Sequence, residues 1–263
     1  MSEGNPGEWA GRRLGDRTVA YTERDAILYA IAVGAPASAL DLVFEDRLRV
    51  LPSFALTLAQ WAPDVLAEAG AFDNRAVHGT QSLDVSAALP RSGEVTLAAR
   101  VGNVWDKGSA AVFEVIVECD YFTATWSLFA PGFGGFGGDR GPSSPAGPTT
   151  PPVTTTRVAT AENQAVLYRL LGDRHHIHVD PDAALRIGQD RPILHGLCAL
   201  AAVTLPLAEI AGAHPADLRH LEGRFSGVVF PGDELTLRSW DAGVFDALDG
   251  DRTVIANGRA DFS

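Results

Sequence analysis

The pattern of apolar and polar residues predicts two long helices, each followed by strands. Apolar side chains recur at helical spacing over residues 52–69 and again from about residue 195 to residue 211. Segments that alternate apolar and polar residues follow each helix, at residues 95–101, 112–117, 123–129, 221–225, 234–238 and 253–256. A helix packed on a largely antiparallel sheet, present twice, predicts an α+β fold.

The two halves of the chain resemble each other and flank a segment that is unsuited to packing. Residues 26–34 are similar in sequence to residues 165–172, and both precede the long helix of their half. The segment between the halves is rich in Gly, Pro and Thr, a composition typical of a linker. We therefore predict an N-terminal unit at residues 1–135, a linker at residues 136–156 and a C-terminal unit at residues 157–263.

Composition and charge exclude several classes of protein. The 263 residues are 46% hydrophobic, which is enough for a full core, and the net charge of -12 argues against nucleic acid as a partner. No apolar stretch is long enough for a signal peptide or a membrane span. Cys119 and Cys198 are too few for a disulfide framework or a structural zinc site. We expect a cytoplasmic protein with reduced cysteines and no membrane partner.

Reactive side chains are concentrated in one stretch of the second half. Asp173 and four of the seven histidines lie within residues 173–195, whereas residues 34–38, the corresponding region of the first half, contain neither Asp nor His. If the halves are duplicates, only the second kept catalytic groups.

Three interpretations of this stretch compete: a solvated loop, a metal site and an acid–base pair. His175 and His178 are three residues apart with Asp180 nearby, but the sequence has no His-Glu-x-x-His motif or cysteine pair, so we expect no metal. Asp173 and His178 are five residues apart across a loop. A carboxylate and an imidazole that share one water can divide the removal and the supply of a proton, as hydration of a conjugated double bond requires.

Gly196 begins the second long helix. A helix N-terminus leaves its backbone N–H groups without partners, and such a donor can hold a thioester oxygen as negative charge builds on it. The alternative is that Gly196 only permits close packing of the helix.

These residues resemble the MaoC-like (R)-specific enoyl-CoA hydratases, also called hydratase 2. Residues 168–178 and the Pro-Ile-Leu-His-Gly-Leu-Cys segment at residues 192–198 are similar to the two sequence motifs of that family. Further short matches in the same order resemble the hydratase part of the peroxisomal multifunctional β-oxidation enzymes of type 2, at residues 78–81, 89–93, 106–109, 134–138 and 230–233.

The resemblance implies a double hot-dog fold with its chemistry in the second unit. It implies that Asp173 and His178 are catalytic, that the Gly196 N–H forms the oxyanion hole, and that the first unit accommodates the acyl chain. His175 stands where the family has Asn, and His176 where it has Pro. We expect His175 and His195 to support the water or the substrate.

The resemblance therefore implies reversible hydration of trans-2-enoyl-CoA to (3R)-3-hydroxyacyl-CoA without a cofactor. Because CoA is anionic, a local basic patch must receive it, and the candidates are Arg169, Arg186, Arg191 and Arg224. Relatives suggest a homodimer. The alternatives are dehydration of (3R)-hydroxyacyl groups on acyl carrier protein, thioester hydrolysis on the same fold, and non-catalytic binding of acyl-CoA.

Overall fold

A computed structural model describes residues 4–263 and contains ten strands in one antiparallel sheet. In chain order, strands β1 to β10 are Arg13–Tyr21, Val77–Val85, Gly93–Asp106, Ala110–Glu118, Phe122–Pro131, Thr154–Ala159, Leu218–Phe225, Glu234–Ser239, Val244–Asp249 and Arg252–Phe262. Their order across the sheet is β1-β3-β4-β5-β2-β7-β10-β9-β8-β6.

This strand order is the same when it is traced inward from either edge. The first half runs β1-β3-β4-β5-β2 and the second runs β6-β8-β9-β10-β7, so that β2 and β7 pair at the centre. The sheet thus shows the duplication that the sequence suggested. The α+β class is confirmed, and all six predicted strands are present.

Within residues 4–263, seven α-helices accompany the sheet, together with short 3-10 turns. Helices α1 to α7 are Glu23–Ala32, Leu40–Val43, Ala55–Ala59, Trp61–Glu68, Gln164–Tyr168, Pro181–Arg186 and Gly196–Ile210. Ten of the fifteen residues of α7 are buried, which makes it the core helix of the second half. No helix within residues 4–263 is long and apolar enough to cross a membrane.

The first long helix is interrupted, although one continuous helix was predicted. It consists of a 3-10 turn at Pro52–Phe54, then α3 and α4, with a break at Gln60. Pro63 has no N–H to donate to the carbonyl of Ala59, which weakens the hydrogen-bond ladder at this point. Gln60 keeps helical angles (φ -57°, ψ -24°), so the direction of the chain is preserved.

Four strands were not predicted, namely β1, β2, β6 and β9. β1 and β6 form the two edges of the sheet, where an exposed face permits polar residues and weakens the alternation. In β2 the register shifts between His78 and Thr80, so an extra residue breaks the period of two.

The predicted linker is more ordered than its composition suggests. Asp106 accepts hydrogen bonds from the amides of Gly108, Gly135 and Gly137, each at 2.8 Å, and so holds the glycine-rich segment against the first half. β6 begins at Thr154, inside the predicted linker. The unit boundaries at residues 135 and 157 stay a prediction.

We expect the junction between the halves to weaken as the pH rises. His220 on β7 lies 2.7 Å from a carboxylate oxygen of Asp84 on β2 and 3.8 Å from one of Glu222. Glu222 and then Asp84 raise the pKa of His220 to about 9, although burial opposes them. Protonated His220 therefore stabilises the fold, and its full contribution is present below pH 6.5, the ordinary pKa of histidine. This contribution is lost as the pH rises through the folded-state pKa of about 9.

The measurement is the Tm of the wild type and of His220→Gln at intervals from pH 6 to pH 10. The wild type should lose more Tm over this range than the variant, which has no titrating group at residue 220. Parallel Tm curves would contradict the assigned role of His220.

Candidate active site

The loop that contains Asp173 and His178 begins at Gly172, where the helical turn after α5 ends. Gly172 has a φ of 155°, which a residue with a side chain rarely adopts, and this turn sets the direction of the chain at Asp173. A Cβ at Gly172 would lie 3.6 Å from the carbonyl oxygen of Thr57 in α3, so the loop packs on the first half. The site is therefore formed between the halves.

Asp173 and His178 come together as the sequence predicted. The distance from His178 Nε2 to the Asp173 carboxylate is 3.9 Å. The backbone N–H of His175 donates to the other carboxylate oxygen of Asp173 at 3.1 Å. The pair is thus held near enough to share one small molecule, but its atoms are too far apart for a direct hydrogen bond.

A backbone carbonyl sets the tautomer of His178. Its Nδ1 lies 2.8 Å from the carbonyl oxygen of Ile193, and because a carbonyl only accepts, Nδ1 carries the proton. Nε2, which faces Asp173, is then free to accept. Burial lowers the pKa of His178, while the Asp173 carboxylate opposes that shift. His178 is therefore set up as a neutral base at neutral pH.

His195 lies beneath this pair as a buried ring. It is 2% exposed, its Nε2 lies 3.1 Å from the backbone carbonyl oxygen of Asp173, and its ring stacks on His178 with centroids 3.6 Å apart. The burial and the bond to the backbone favour a positioning role over the predicted contact with water or substrate.

Ligand atoms of Asp173, His178 and His195 all lie within 4.8 Å of one another. The planes of the two stacked imidazoles differ by only 23°, and because an imidazole lone pair lies in its ring plane, the lone pairs of His178 and His195 lie in nearly parallel planes. A tetrahedral metal ion needs lone pairs that converge on it, and this cluster fits one poorly.

His175 is exposed at the other side of the pair. Its ring centroid lies 6.3 Å from that of His178, and its Nδ1 accepts from the backbone N–H of Ile177 at 3.4 Å. The predicted contact of His175 with water or substrate stays a prediction.

Gly196 is the first residue of α7 and follows His195 directly. Its backbone is exposed, and the first N–H groups of a helix have no partner within the helix. A Cβ at Gly196 would lie 3.1 Å from the ring of Phe225, so the absent side chain also leaves space for that ring. The geometry suits both an oxyanion donor and the packing alternative.

The four candidate arginines differ in their surroundings. Arg186 lies 4.0 Å from Asp180, and Arg191 is paired with Asp233 at 2.8 Å. Within residues 4–263, Arg224 is exposed and has no ion pair, while Arg169 has a buried Nε without a hydrogen-bond partner. Arg191 also lines a cleft of about 420 Å³ that reaches His178.

The first half adds titratable groups that the sequence did not reveal. Burial and then repulsion from Asp173 raise the pKa of Asp64 in α4 to about 6, although its side chain reaches solvent. Burial lowers the pKa of His78 in β2 to about 4, and the charge of Asp173 acts on it in the opposite direction. His78 lies within the family match at residues 78–81, whereas no motif contains Asp64, and only the packing of the halves places both residues near Asp173.

Two family models match the chain in succession. The MFE-2 hydratase 2 N-terminal domain matches residues 19–127, and the MaoC like domain matches residues 144–259. The class defined by fold and site is thus a double hot-dog protein of the MaoC-like type.

Curated relatives agree with both models. 3-Hydroxyacyl-thioester dehydratase Y of Mycobacterium tuberculosis is 35% identical, over 84% of this chain and 82% of its own length. The peroxisomal multifunctional enzyme type 2 of Mus musculus is 34% identical over 89% of this chain, which spans about a third (34%) of that protein. The chain belongs to the MaoC-like hydratase 2 family, and the resemblance predicted from its motifs is confirmed.

Solved structures confirm the predicted double hot-dog fold. A MaoC-like dehydratase from Phytophthora capsici has a TM-score of 0.85 at 24% identity, covering 96% of both chains. The full-length peroxisomal multifunctional enzyme type 2 of Drosophila melanogaster has a TM-score of 0.78 at 30% identity, covering 95% of this chain and 48% of its own. A Mycobacterium tuberculosis protein described as a double hotdog has a TM-score of 0.57 at 12% identity.

Proposed function

We propose that this protein is a hydro-lyase that reversibly hydrates trans-2-enoyl-CoA to (3R)-3-hydroxyacyl-CoA in acyl-CoA metabolism. The observation that carries the proposal is the Asp173–His178 pair, 3.9 Å apart, with His195, the residue before the first N–H of α7, stacked on His178. The family member named enoyl-CoA hydratase 2, peroxisomal, from Arabidopsis thaliana supports this reaction.

The proposed mechanism uses acid–base chemistry alone and invokes no cofactor. A water oxygen between Asp173 and His178 accommodates hydrogen bonds of about 2.8 Å to both. His178 Nε2 takes a proton from this water as its oxygen bonds to C3, and the pair returns a proton to C2. The Gly196 N–H donates to the thioester oxygen, which carries the negative charge in between. The reverse sequence breaks the C3–O bond and releases water.

The two ends of the substrate are assigned to different parts of the site. We propose that the acyl chain lies against the apolar first long helix of the first half, whose α3 segment packs on Gly172, the residue before Asp173. The CoA phosphates approach the candidate arginines. Arg169 and Arg224 are better placed for this than Arg186 and Arg191, because a carboxylate lies within 4.0 Å of each of the latter two.

We expect hydration of a graded series of enoyl-CoA thioesters. The measurements are the loss of enoyl-thioester absorbance, the release of free CoA and the chirality of the product on a chiral column. Absorbance should fall without release of CoA, and the product should be the 3R isomer. Release of free CoA would favour a thioesterase, and binding of acyl-CoA without turnover would favour a non-catalytic module; either outcome would overturn the proposal.

A second candidate is dehydration of (3R)-hydroxyacyl groups carried on acyl carrier protein. The observation in its favour is the relative named 3-hydroxyacyl-thioester dehydratase Y, whose name leaves the carrier open. The same series presented on acyl carrier protein separates the two carriers by their kcat/KM.

The remaining proposals concern the surroundings of the protein. Cys119 and Cys198 are both free thiols, which is consistent with a reducing compartment, and we propose the cytoplasm. We also propose a homodimer, because the resemblance to hydratase 2 suggests one.

A further inference from the structure

His195 connects three parts of the site through one buried ring. Its Nε2–H donates to the backbone carbonyl of Asp173 at 3.1 Å, and one of its faces stacks on the His178 ring at 3.6 Å. The Tyr168 ring packs against it with centroids 4.9 Å apart. His195 also immediately precedes Gly196, the proposed oxyanion donor. One side chain therefore fixes the relative placement of the acid, the base and the helix terminus.

The start of the helix itself does not require a histidine. Pro63 and Pro206 lie at corresponding points of the two long helices, and this alignment places Pro52–Ser53 of the first half opposite His195–Gly196 of the second. Proline at Pro52 supports the same helical entry without an imidazole. The first half thus has proline where the second half has His195, and only the second half contains the proposed catalytic pair. This difference points to a role of His195 in catalysis rather than in folding.

We propose that His195 is a positioning residue whose neutral imidazole anchors the backbone of Asp173 and holds the plane of the His178 ring. This inference rests on the proposed function, because it assigns His195 a part in the same reaction. The charged or titratable groups that face the ring are Asp173, His178, Arg169 and the Tyr168 hydroxyl.

The surroundings of His195 keep its ring neutral. Burial, and then the neighbouring His178, lower its pKa to about 4, against an opposing effect of Asp173. Nε2 carries the proton that is donated to the backbone carbonyl of Asp173, while the buried Nδ1 has no hydrogen-bond partner in the described part of the chain. A second proton on Nδ1 would be an unpaired buried charge beside His178. A proton taken up from water therefore stays on His178 and does not pass to the ring stacked on it.

Two substitutions separate the two contacts of His195. His195→Phe keeps an aromatic face for His178 but loses the donor to Asp173, and His195→Gln keeps a donor near the position of Nε2 but loses the stacked ring. We expect each to lower kcat by about 10- to 100-fold, because a misplaced catalytic group costs about that much, with KM nearly unchanged. In His195→Gln the acid limb of the kcat/KM pH profile should move to higher pH, because His178 becomes better solvated.

Tyr168→Phe is the matched control. The Tyr168 ring packs against His195 with centroids 4.9 Å apart, and its buried hydroxyl has no hydrogen-bond partner among residues 4–263. Its removal keeps the ring contact, so kcat and the pH profile should stay as in the wild type. Thermal unfolding of all variants reports whether a loss of rate reflects a loss of structure.

NMR titration of His178 in the wild type and in His195→Gln gives a readout that does not depend on turnover. A raised His178 pKa in the variant supports the proposal even if no enoyl thioester is hydrated, an outcome that would refute the proposed function alone. Wild-type kcat and pH profile in both variants would overturn it. The proposal would also be overturned if kcat fell only in variants whose Tm fell as well, while the His178 titration stayed unchanged. His195 would then have a purely structural role.

Discussion

Asp173→Asn is expected to lower kcat for enoyl-CoA hydration by about two to four orders of magnitude, the range that one acid–base group supplies. In the wild type the His175 N–H donates to the Asp173 carboxylate at 3.1 Å. The asparagine side chain has the same shape and still offers an oxygen to this N–H. What it loses is the ability to exchange a proton with the water shared with His178. The measurement is the steady-state rate on the best substrate of the enoyl-CoA series, with circular dichroism to verify folding.

His178→Ala tests the other member of the pair and is expected to lose about as much rate. Removing either member disables the same proton exchange, so the double variant should be little slower than the slower single variant. Near wild-type hydration by either single variant would refute the assignment of the pair. Losses that multiplied in the double variant would show that Asp173 and His178 act independently.

Gly196→Pro is expected to lower kcat by a further two to three orders of magnitude relative to Gly196→Ala, because it removes the proposed oxyanion donor. Gly196 is the first residue of α7, a position where proline is well tolerated since that N–H has no partner in the helix. His195 precedes it with φ -59° and ψ 131°, angles that suit a residue before proline. The helix should therefore start normally without the donor.

Gly196→Ala is the control for crowding. Both substitutions place a Cβ 3.1 Å from the Phe225 ring, but only alanine keeps the N–H. The comparison of kcat between the two variants isolates the hydrogen bond, and Tm reports the strain that they share. Equal activity in both variants would show that Gly196 serves packing alone, the alternative left open by the sequence.

The sequence by itself determined the class of the fold and predicted which two residues form the proposed catalytic pair. Two local signals are the helical spacing of apolar residues at residues 195–211 and their alternation at residues 234–238. They are local because apolar residues recur with the period that keeps one side of the element facing the core. Asp173 and His178 could be predicted as a pair for a similar reason, since they lie on one short loop. Edge strands such as β6, with a largely polar composition, carried no such signal.

Only the tertiary structure decided how the pair is held and what faces it. The carbonyl that sets the His178 tautomer belongs to Ile193, and the ring stacked on His178 belongs to His195, contacts that arise when α7 packs against the loop. Asp64 comes from the opposite half. Burial lowers the pKa of His178, and this burial exists only once these segments have packed together and excluded water. The lowered pKa therefore cannot be predicted from the sequence around His178.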